Sequence, residues 1–114
     1  MSLEERWLLE AQTARNLEGL AAEQAGRVEE AIALYERNVA EGFVGDLPYG
    51  RLVAIYERQA AFDEAERVLL RAIAVFEASS RRTASDRRAT VRVFKNRLAA
   101  LRKRKREPPR RVES

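Results

Sequence analysis

A chain of 114 residues is long enough for one small domain. It contains no cysteine and no histidine, which excludes disulfide frameworks, zinc sites of the Cys/His type and catalytic pairs built on either residue. The net charge of +4 hides an asymmetry, because residues 1–80 carry 8 basic and 15 acidic residues, whereas residues 81–114 carry 14 basic and 3 acidic ones. A basic segment joined to an acidic domain is typical of an interaction tail, of self-docking or of contact with a polyanion.

The sequence carries no sign of a membrane segment or a secretory signal. No apolar run approaches the roughly 18 residues that a membrane span requires. The first residues are acidic, without the basic start and apolar core of a signal peptide. We therefore expect a cytoplasmic protein with no membrane partner. Arginine outnumbers lysine and alanine is abundant, which is typical of a GC-rich bacterial genome.

The first predicted helix runs from Leu3 to about Ala25. Ser2 and Glu5 have the spacing of a capping box at its start. Apolar residues then recur at three- and four-residue intervals until Gly26, which supplies the left-handed conformation that commonly ends a helix.

Three more helices are predicted before residue 79. The second runs over about Val28–Glu41, with an apolar face and a charged face. The third begins at Pro48, a favoured first-turn residue. The fourth runs over about Phe62–Ala78 and has an apolar stripe along its length.

The stretch from Gly26 to Phe76 contains nearly the same pattern twice, at an offset of about 34 residues. The offset pairs Val28 with Phe62, Glu30 with Glu64, Ala31 with Ala65, Arg37 with Arg71 and Val39 with Ile73. The third helix has Tyr49, Leu52, Val53 and Tyr56 at three- and four-residue spacing. A period of this length with two helices per period resembles the tetratricopeptide repeat (TPR).

The resemblance implies an all-α, TPR-like α-α superhelix of two helical hairpins over residues 1–78. It also implies a role for Gly19, which stands where the family has a small residue and the second helix crosses closely. Because two repeats alone leave the end of such a stack exposed, a cap is expected.

A basic amphipathic helix within residues 79–106 is the expected C-terminal capping helix. Ser85 or Asp86 can cap its start, and we predict that it ends near Arg104. Its narrow apolar stripe consists of Val91, Phe94, Leu98 and Leu101. We expect Phe94 and Leu98 to meet Val68, Leu69 and Phe76. Residues 107–114 are predicted to form a disordered basic tail, because two prolines stop any helix there.

In TPR domains the first helices of the hairpins line a concave groove. Matching one repeat to the other predicts that the groove here is lined by Thr13, Asn16, Leu20, Glu23, Gln24, Gly50, Ala54, Glu57 and Arg58. These residues predict an acidic-to-apolar groove, which favours a basic or amphipathic partner segment.

The basic residues that follow the predicted cap could instead contact a polyanion such as nucleic acid. They are Arg102, Lys103, Arg104, Lys105, Arg106, Arg110 and Arg111. No aromatic residue lies among them after Phe94, and no recognition-helix motif is present. A solvated, solubilising terminus is the simpler interpretation of the same run.

Without a Cys or His pair, a phosphate loop or a metal-ligand cluster, we expect no enzyme, no cofactor and no metal site. The sequence favours a non-catalytic adaptor or regulatory module that binds a protein or peptide segment in its groove. The alternative is a small nucleic-acid-associated protein that uses its basic C-terminal helix and tail. A homo-oligomer in which the two charge halves dock between copies is compatible with either hypothesis. Trp7 either packs on the second helix or marks an exposed contact patch.

Overall fold

The computed structural model describes residues 1–80 and 82–107, and these residues form five helices and no strand. The helices are α1 (Leu3–Gln24), α2 (Val28–Ala40), α3 (Leu47–Arg58), α4 (Phe62–Ala78) and α5 (Ala84–Arg106). Each helix packs against the next one along the chain. The prediction of an all-α fold is confirmed. Residues 108–114, most of the predicted disordered tail, lie outside the described residues.

The helices α1 and α5 begin at a residue whose side chain caps the helix, and one of these two caps is not the expected one. The Ser2 hydroxyl accepts a hydrogen bond from the Glu5 N–H at 3.1 Å, as the capping-box spacing predicts. The predicted cap of α5 is wrong, because Thr83 takes the extended conformation before Ala84 and its hydroxyl accepts from the Asp86 N–H at 3.1 Å. The α5 helix therefore begins earlier than expected.

The first three helices end in the same way. After each last turn, one residue adopts the left-handed conformation: Gly26 at φ +78°, Gly42 at φ +72° and Ala60 at φ 56°. The next residue then donates its N–H five residues back, at 2.8 Å from Arg27 to the Ala22 carbonyl. These bonds satisfy the final carbonyls of each helix. Ala60 performs this role without the conformational freedom of glycine.

The crossing of α1 and α2 is set by Gly19. A Cβ atom at this position would lie 2.4 Å from Cε1 and 2.7 Å from Cζ of Tyr35. Tyr35 is fully buried, so its ring occupies the space that any side chain at position 19 would need. The close approach expected at Gly19 is confirmed.

Three aromatic rings join α3, α4 and α5. Tyr49 stands edge-on to Phe76 at 6.0 Å and to Phe94 at 6.2 Å between ring centroids, and Phe76 lies 5.5 Å from Phe94. All three residues are buried. The apolar stripe of α5 belongs to the same core as Val68 and Leu69. The helix therefore covers the second hairpin, as expected of a cap, and Phe94 is its aromatic anchor.

The close contact at Gly19 predicts the outcome of a glycine-to-alanine change. Gly19→Ala should lower the free energy of unfolding by about 1–3 kcal/mol, because overpacking against the Tyr35 ring exceeds the gain in helix propensity. Urea denaturation followed by circular dichroism measures the change.

Gly50→Ala is the matched control for that experiment. Gly50 is also helical, but a Cβ there would lie 3.7 Å from the nearest other side-chain atom, Nη1 of Arg97. Its alanine variant should be as stable as the wild type or up to about 1 kcal/mol more stable. Equal effects at the two positions would show that Tyr35 does not constrain position 19.

The helix ends yield a second stability prediction. Ala60→Gly should raise the free energy of unfolding by up to about 1 kcal/mol, because glycine takes the left-handed conformation without steric cost. Gly26→Ala, at the corresponding position 34 residues earlier, should lower it by about 1–2 kcal/mol. Thermal unfolding of both variants tests the pair, and changes of the same sign would contradict this explanation.

Candidate binding groove

Two neighbouring depressions share two of their lining residues, and together they are bordered by α1, α2, α3 and α5. The first, about 450 Å³, is lined by Glu23, Gln24, Val28, Arg51, Ile55, Arg58 and Gln59. The second, about 400 Å³, is lined by Arg51, Ala54, Glu57, Arg58, Arg97 and Arg104. Because Arg51 and Arg58 border both depressions, we treat the two depressions as one surface and call it the arginine groove.

The structure brings five of the nine predicted groove residues together. Glu23 and Gln24 lie at one end of the arginine groove, Ala54 and Glu57 lie at the other, and Arg58 borders both. Their positions follow from helix periodicity, since they occupy the last turns of α1 and the second half of α3.

The other four predicted residues do not line this groove. Gly50 borders a smaller depression of about 280 Å³ beside α5. The Thr13 hydroxyl is bonded to the Leu9 carbonyl at 2.8 Å, and Leu20 is half-buried. Asn16 is buried, with only 6% of its surface exposed.

Asn16 is buried because α2 presents a buried amide to it. The Asn38 side-chain amide donates to Asn16 Oδ1 at 2.8 Å and to the Gln12 carbonyl at 2.8 Å. The Arg15 guanidinium donates to Asn38 Oδ1 at 2.8 Å. Buried polar groups need such partners, so this network fixes Asn16 against α2 and away from the groove.

Glu23 is the most strongly bound acid in the groove. Arg51 donates to its carboxylate twice, at 2.5 and 3.0 Å, and the Tyr35 hydroxyl donates at 2.6 Å. The hydrogen bond from Arg51 holds the pKa of Glu23 below its ordinary value, and the Tyr35 hydroxyl lowers it further against the effect of burial. Burial, together with the bond to Glu23, raises the pKa of Tyr35. The hydroxyl is therefore a fixed donor at neutral pH.

Glu57 provides the second negative charge, and α5 provides its partners. Arg104 contacts its carboxylate at 3.0 Å and Arg97 at 4.0 Å. At the other end of the groove, Arg58 approaches Glu23 only to 3.9 Å. Arg58 and Arg97 are thus held close to a carboxylate but at the outer limit of an ion pair.

The expectation of an acidic groove is wrong. Four guanidinium groups border the arginine groove against two carboxylates, so the surface is positive on balance. Sequence analysis missed Arg51 and Arg97, and it assigned Arg104 to the polyanion-binding run and not to the groove. The signal was present in the seven-residue spacing from Arg51 to Arg58 and from Arg97 to Arg104, which puts each pair on one helix face.

The residues predicted to contact a polyanion point in different directions from α5, so some form ion pairs and others do not. Arg102 pairs with Glu66 at 2.8 Å, Arg104 pairs with Glu57, and Lys105 pairs with Asp63 and Glu66. Lys103 and Arg106 are exposed and form no ion pair with any described residue. Arg110 and Arg111 lie outside the described residues.

Residues 1–80 and 82–107 offer neither a metal site nor a membrane span. They contain no group of three or more carboxylate, histidine or cysteine side chains placed to hold a metal ion. None of their helices has the length and apolar character needed to span a membrane.

No protein-family model, curated protein or solved structure matches this chain.

The environment of Glu23 predicts a pH-dependent contribution to stability. Glu23→Gln should lower the free energy of unfolding at neutral pH by about 1–3 kcal/mol, because the charge-assisted bonds from Arg51 are weakened. The folded pKa lies below the ordinary value of 4.5, so this contribution is present above pH 4.5 and is lost as the pH falls through the folded pKa.

Urea denaturation at a series of pH values measures this contribution. The wild type and the Glu23→Gln variant should differ at neutral pH and converge in acid. Glu10→Gln is the control, because Glu10 is an exposed residue of α1 away from the helix ends and pairs with no described residue; it should match the wild type throughout. A difference that persists unchanged in acid would show that Glu23 contributes through packing and not through its charge.

Proposed function

We propose that this protein is a non-catalytic interaction module, built as a TPR-like stack, that binds a partner's acidic peptide segment in the arginine groove. The observation that carries the proposal is the placement of Arg58 and Arg97. Their guanidinium groups border the groove from two helices, at 3.9 and 4.0 Å from the nearest carboxylates. A carboxylate from a partner could bind both more closely than Glu23 and Glu57 do.

Arginine suits this task because its planar guanidinium binds a carboxylate through two parallel hydrogen bonds. The side chain of Arg58 is 67% exposed, so it can turn toward a ligand without breaking a short contact. Arg51, by contrast, is committed to Glu23 and forms part of the wall. Arg104 is likewise bound to Glu57 at 3.0 Å. The proposed division is therefore between two fixed arginines, Arg51 and Arg104, and two adaptable ones.

The groove also offers apolar surface between its charges. Val28 and Ile55 line one end, and Ala54 lies between the guanidinium groups at the other. A segment that alternates acidic and apolar side chains at helical spacing would match this surface, in the way amphipathic helices bind grooves generally. Because the groove is small, we expect an affinity on the order of micromolar.

The nucleic-acid hypothesis remains a second prediction with less support. Arg102, Arg104 and Lys105 already pair with carboxylates of α3 and α4. A phosphate backbone would have to displace those carboxylates or bind the residues that remain. These internal pairs leave fewer cations of the basic segment free for a phosphate backbone, which supports the proposal of a protein partner over a polyanion.

The test uses two labelled peptides of equal length with the same apolar residues at helical spacing. One carries Glu and the other Lys at every polar position. Fluorescence anisotropy should show binding of the acidic peptide and weak or no binding of the basic one. Arg58→Glu combined with Arg97→Glu should weaken acidic-peptide binding at least about tenfold, which corresponds to about 1.4 kcal/mol.

Arg6→Glu combined with Arg37→Glu is the matched control, because it makes the same change of charge at two exposed residues outside the groove and away from α5. This variant should bind the acidic peptide nearly as the wild type does. Preference for the basic peptide, or equal loss in both double variants, would refute a groove-specific acidic ligand.

A further inference from the structure

An unpartnered apolar stripe runs along α1 on the side away from α2. Leu3, Trp7, Ala14 and Leu17 follow one another at intervals of four, seven and three residues, which places them on one face of the helix. The large side chains are open to solvent, with Leu3 57%, Trp7 59% and Leu17 63% exposed. The opposite face of α1, with Gly19 and Asn16, is the one that packs on α2. We call the exposed side the α1 face.

Acidic residues surround this stripe. Glu4, Glu10 and Glu18 are exposed on or beside it, and none forms an ion pair with any described residue. An apolar stripe flanked by unpaired carboxylates indicates a partner helix with apolar or small residues and basic flanks. A second α1 face is disfavoured as that partner, since three carboxylates would meet three more.

The outward side of α5 has the complementary character, and we call it the α5 face. Arg88, Arg92, Lys103 and Arg106 are exposed there and form no ion pair within the part of the chain that the structure describes. The alanines Ala99 and Ala100 leave this side open to close approach.

A groove of about 530 Å³ runs along α5 beside the end of α4. Val91 contributes apolar surface to it. Three arginines border it, together with Asn96 and with Lys95, which pairs with Glu77 at 3.4 Å; the arginines are Arg87, Arg88 and Arg92. Guanidinium groups around an apolar surface form a favourable site for an aromatic ring, because they stack on its face. The exposed Trp7 is an aromatic side chain of this kind.

We propose that a second copy of this chain binds head to tail, with the α1 face of one copy on the α5 face of the other. Trp7 then enters the groove between Arg88 and Arg92, and Glu10 and Glu18 meet unpaired cations. The helices are matched in length at 22 and 23 residues, about 33 and 35 Å at 1.5 Å per residue. This contact does not involve the arginine groove, so it does not depend on the proposed function.

Unlike a symmetric dimer, a head-to-tail pair keeps unused binding faces at its two ends. Each contact uses one α1 face and one α5 face, and therefore leaves one of each free at the ends. Wild-type chains should form dimers and longer assemblies as their concentration rises. A variant with one defective face can still contribute its intact face to another copy.

Complementation between two variants tests the proposal. One variant carries Trp7→Ala and Leu17→Ala, and the other carries Arg88→Glu and Arg92→Glu. Light scattering coupled to size exclusion should find each variant monomeric where the wild type associates. An equimolar mixture should form a dimer and nothing larger, because one intact face of each kind is present. The association should disappear at about 1 M salt, where the Debye length falls to about 3 Å.

Two controls accompany this experiment. Leu70→Ala removes an exposed large apolar residue of α4 and should associate as the wild type does. Arg58→Glu with Arg97→Glu alters the arginine groove and should also leave association intact, which separates this proposal from the proposed function. All substituted positions are solvent-exposed except Arg97, which is 37% exposed, and circular dichroism checks that each variant is folded.

Three outcomes would overturn the proposal. A wild type that stays monomeric at low salt excludes the contact directly. Association that survives Arg88→Glu with Arg92→Glu but not Trp7→Ala with Leu17→Ala would indicate a symmetric α1 contact. A monomer that retains nucleic acid, and loses it in the Arg88→Glu and Arg92→Glu variant, would assign the α5 face to a polyanion instead.

Discussion

The ring of Tyr35 lies over Gly19, where α1 has no side chain to block it. Because α2 can approach α1 so closely, the Tyr35 hydroxyl reaches the carboxylate of Glu23 one turn further along α1. Glu23 in turn binds Arg51 of α3 through both carboxylate oxygens. The missing side chain at Gly19 in the first hairpin thus allows Glu23 to be held where it orients Arg51 of the second hairpin. Arg51 is held at the border of the arginine groove for this reason.

The same arrangement occurs a second time, one helix further on. Tyr56 of α3 donates to Glu36 of α2 at 2.6 Å, and Glu36 also pairs with Arg67 of α4. In both cases a carboxylate accepts hydrogen bonds from a tyrosine of the next helix and from an arginine of the helix after that. Burial is the main cause that raises the pKa of each tyrosine, and the carboxylate raises it further. Both hydroxyls therefore remain protonated donors at neutral pH. Three successive helices are linked each time by one acid. The second set is displaced from the first by one helix, whereas the 34-residue repeat of the sequence spans two helices, so the two sets do not occupy equivalent positions of that repeat.

Sequence periodicity was sufficient to predict the elements and most of the core. The helices follow from spacing within each element, whereas the close approach at Gly19 and the covering role of α5 were expected from the resemblance to the TPR pattern. The polar side chains that meet between two helices were not predictable from spacing. Asn16 corresponds to Gly50 in the repeat alignment, yet it is buried because Asn38 faces it, and nothing in the spacing of α1 indicates that partner. The groove's charge was mispredicted for a related reason: Arg97 and Arg104 reach it from α5, a helix that was expected to cap the stack or to contact a polyanion.

The basic segment shows how one run of charge can serve several surfaces. Helical geometry turns successive residues by about 100°, so neighbouring cations of α5 face different surroundings. Arg102 and Lys105 face α4, where Glu66 neutralises them, while Arg104 faces α3 and borders the groove. Lys103 and Arg106 face solvent. The net charge of the segment is therefore a poor guide to its function, because only the cations on one face can reach any one partner. Since the docking of Phe94 fixes the rotation of α5, the aromatic cluster also decides which cations belong to the core, to the groove and to the outer face.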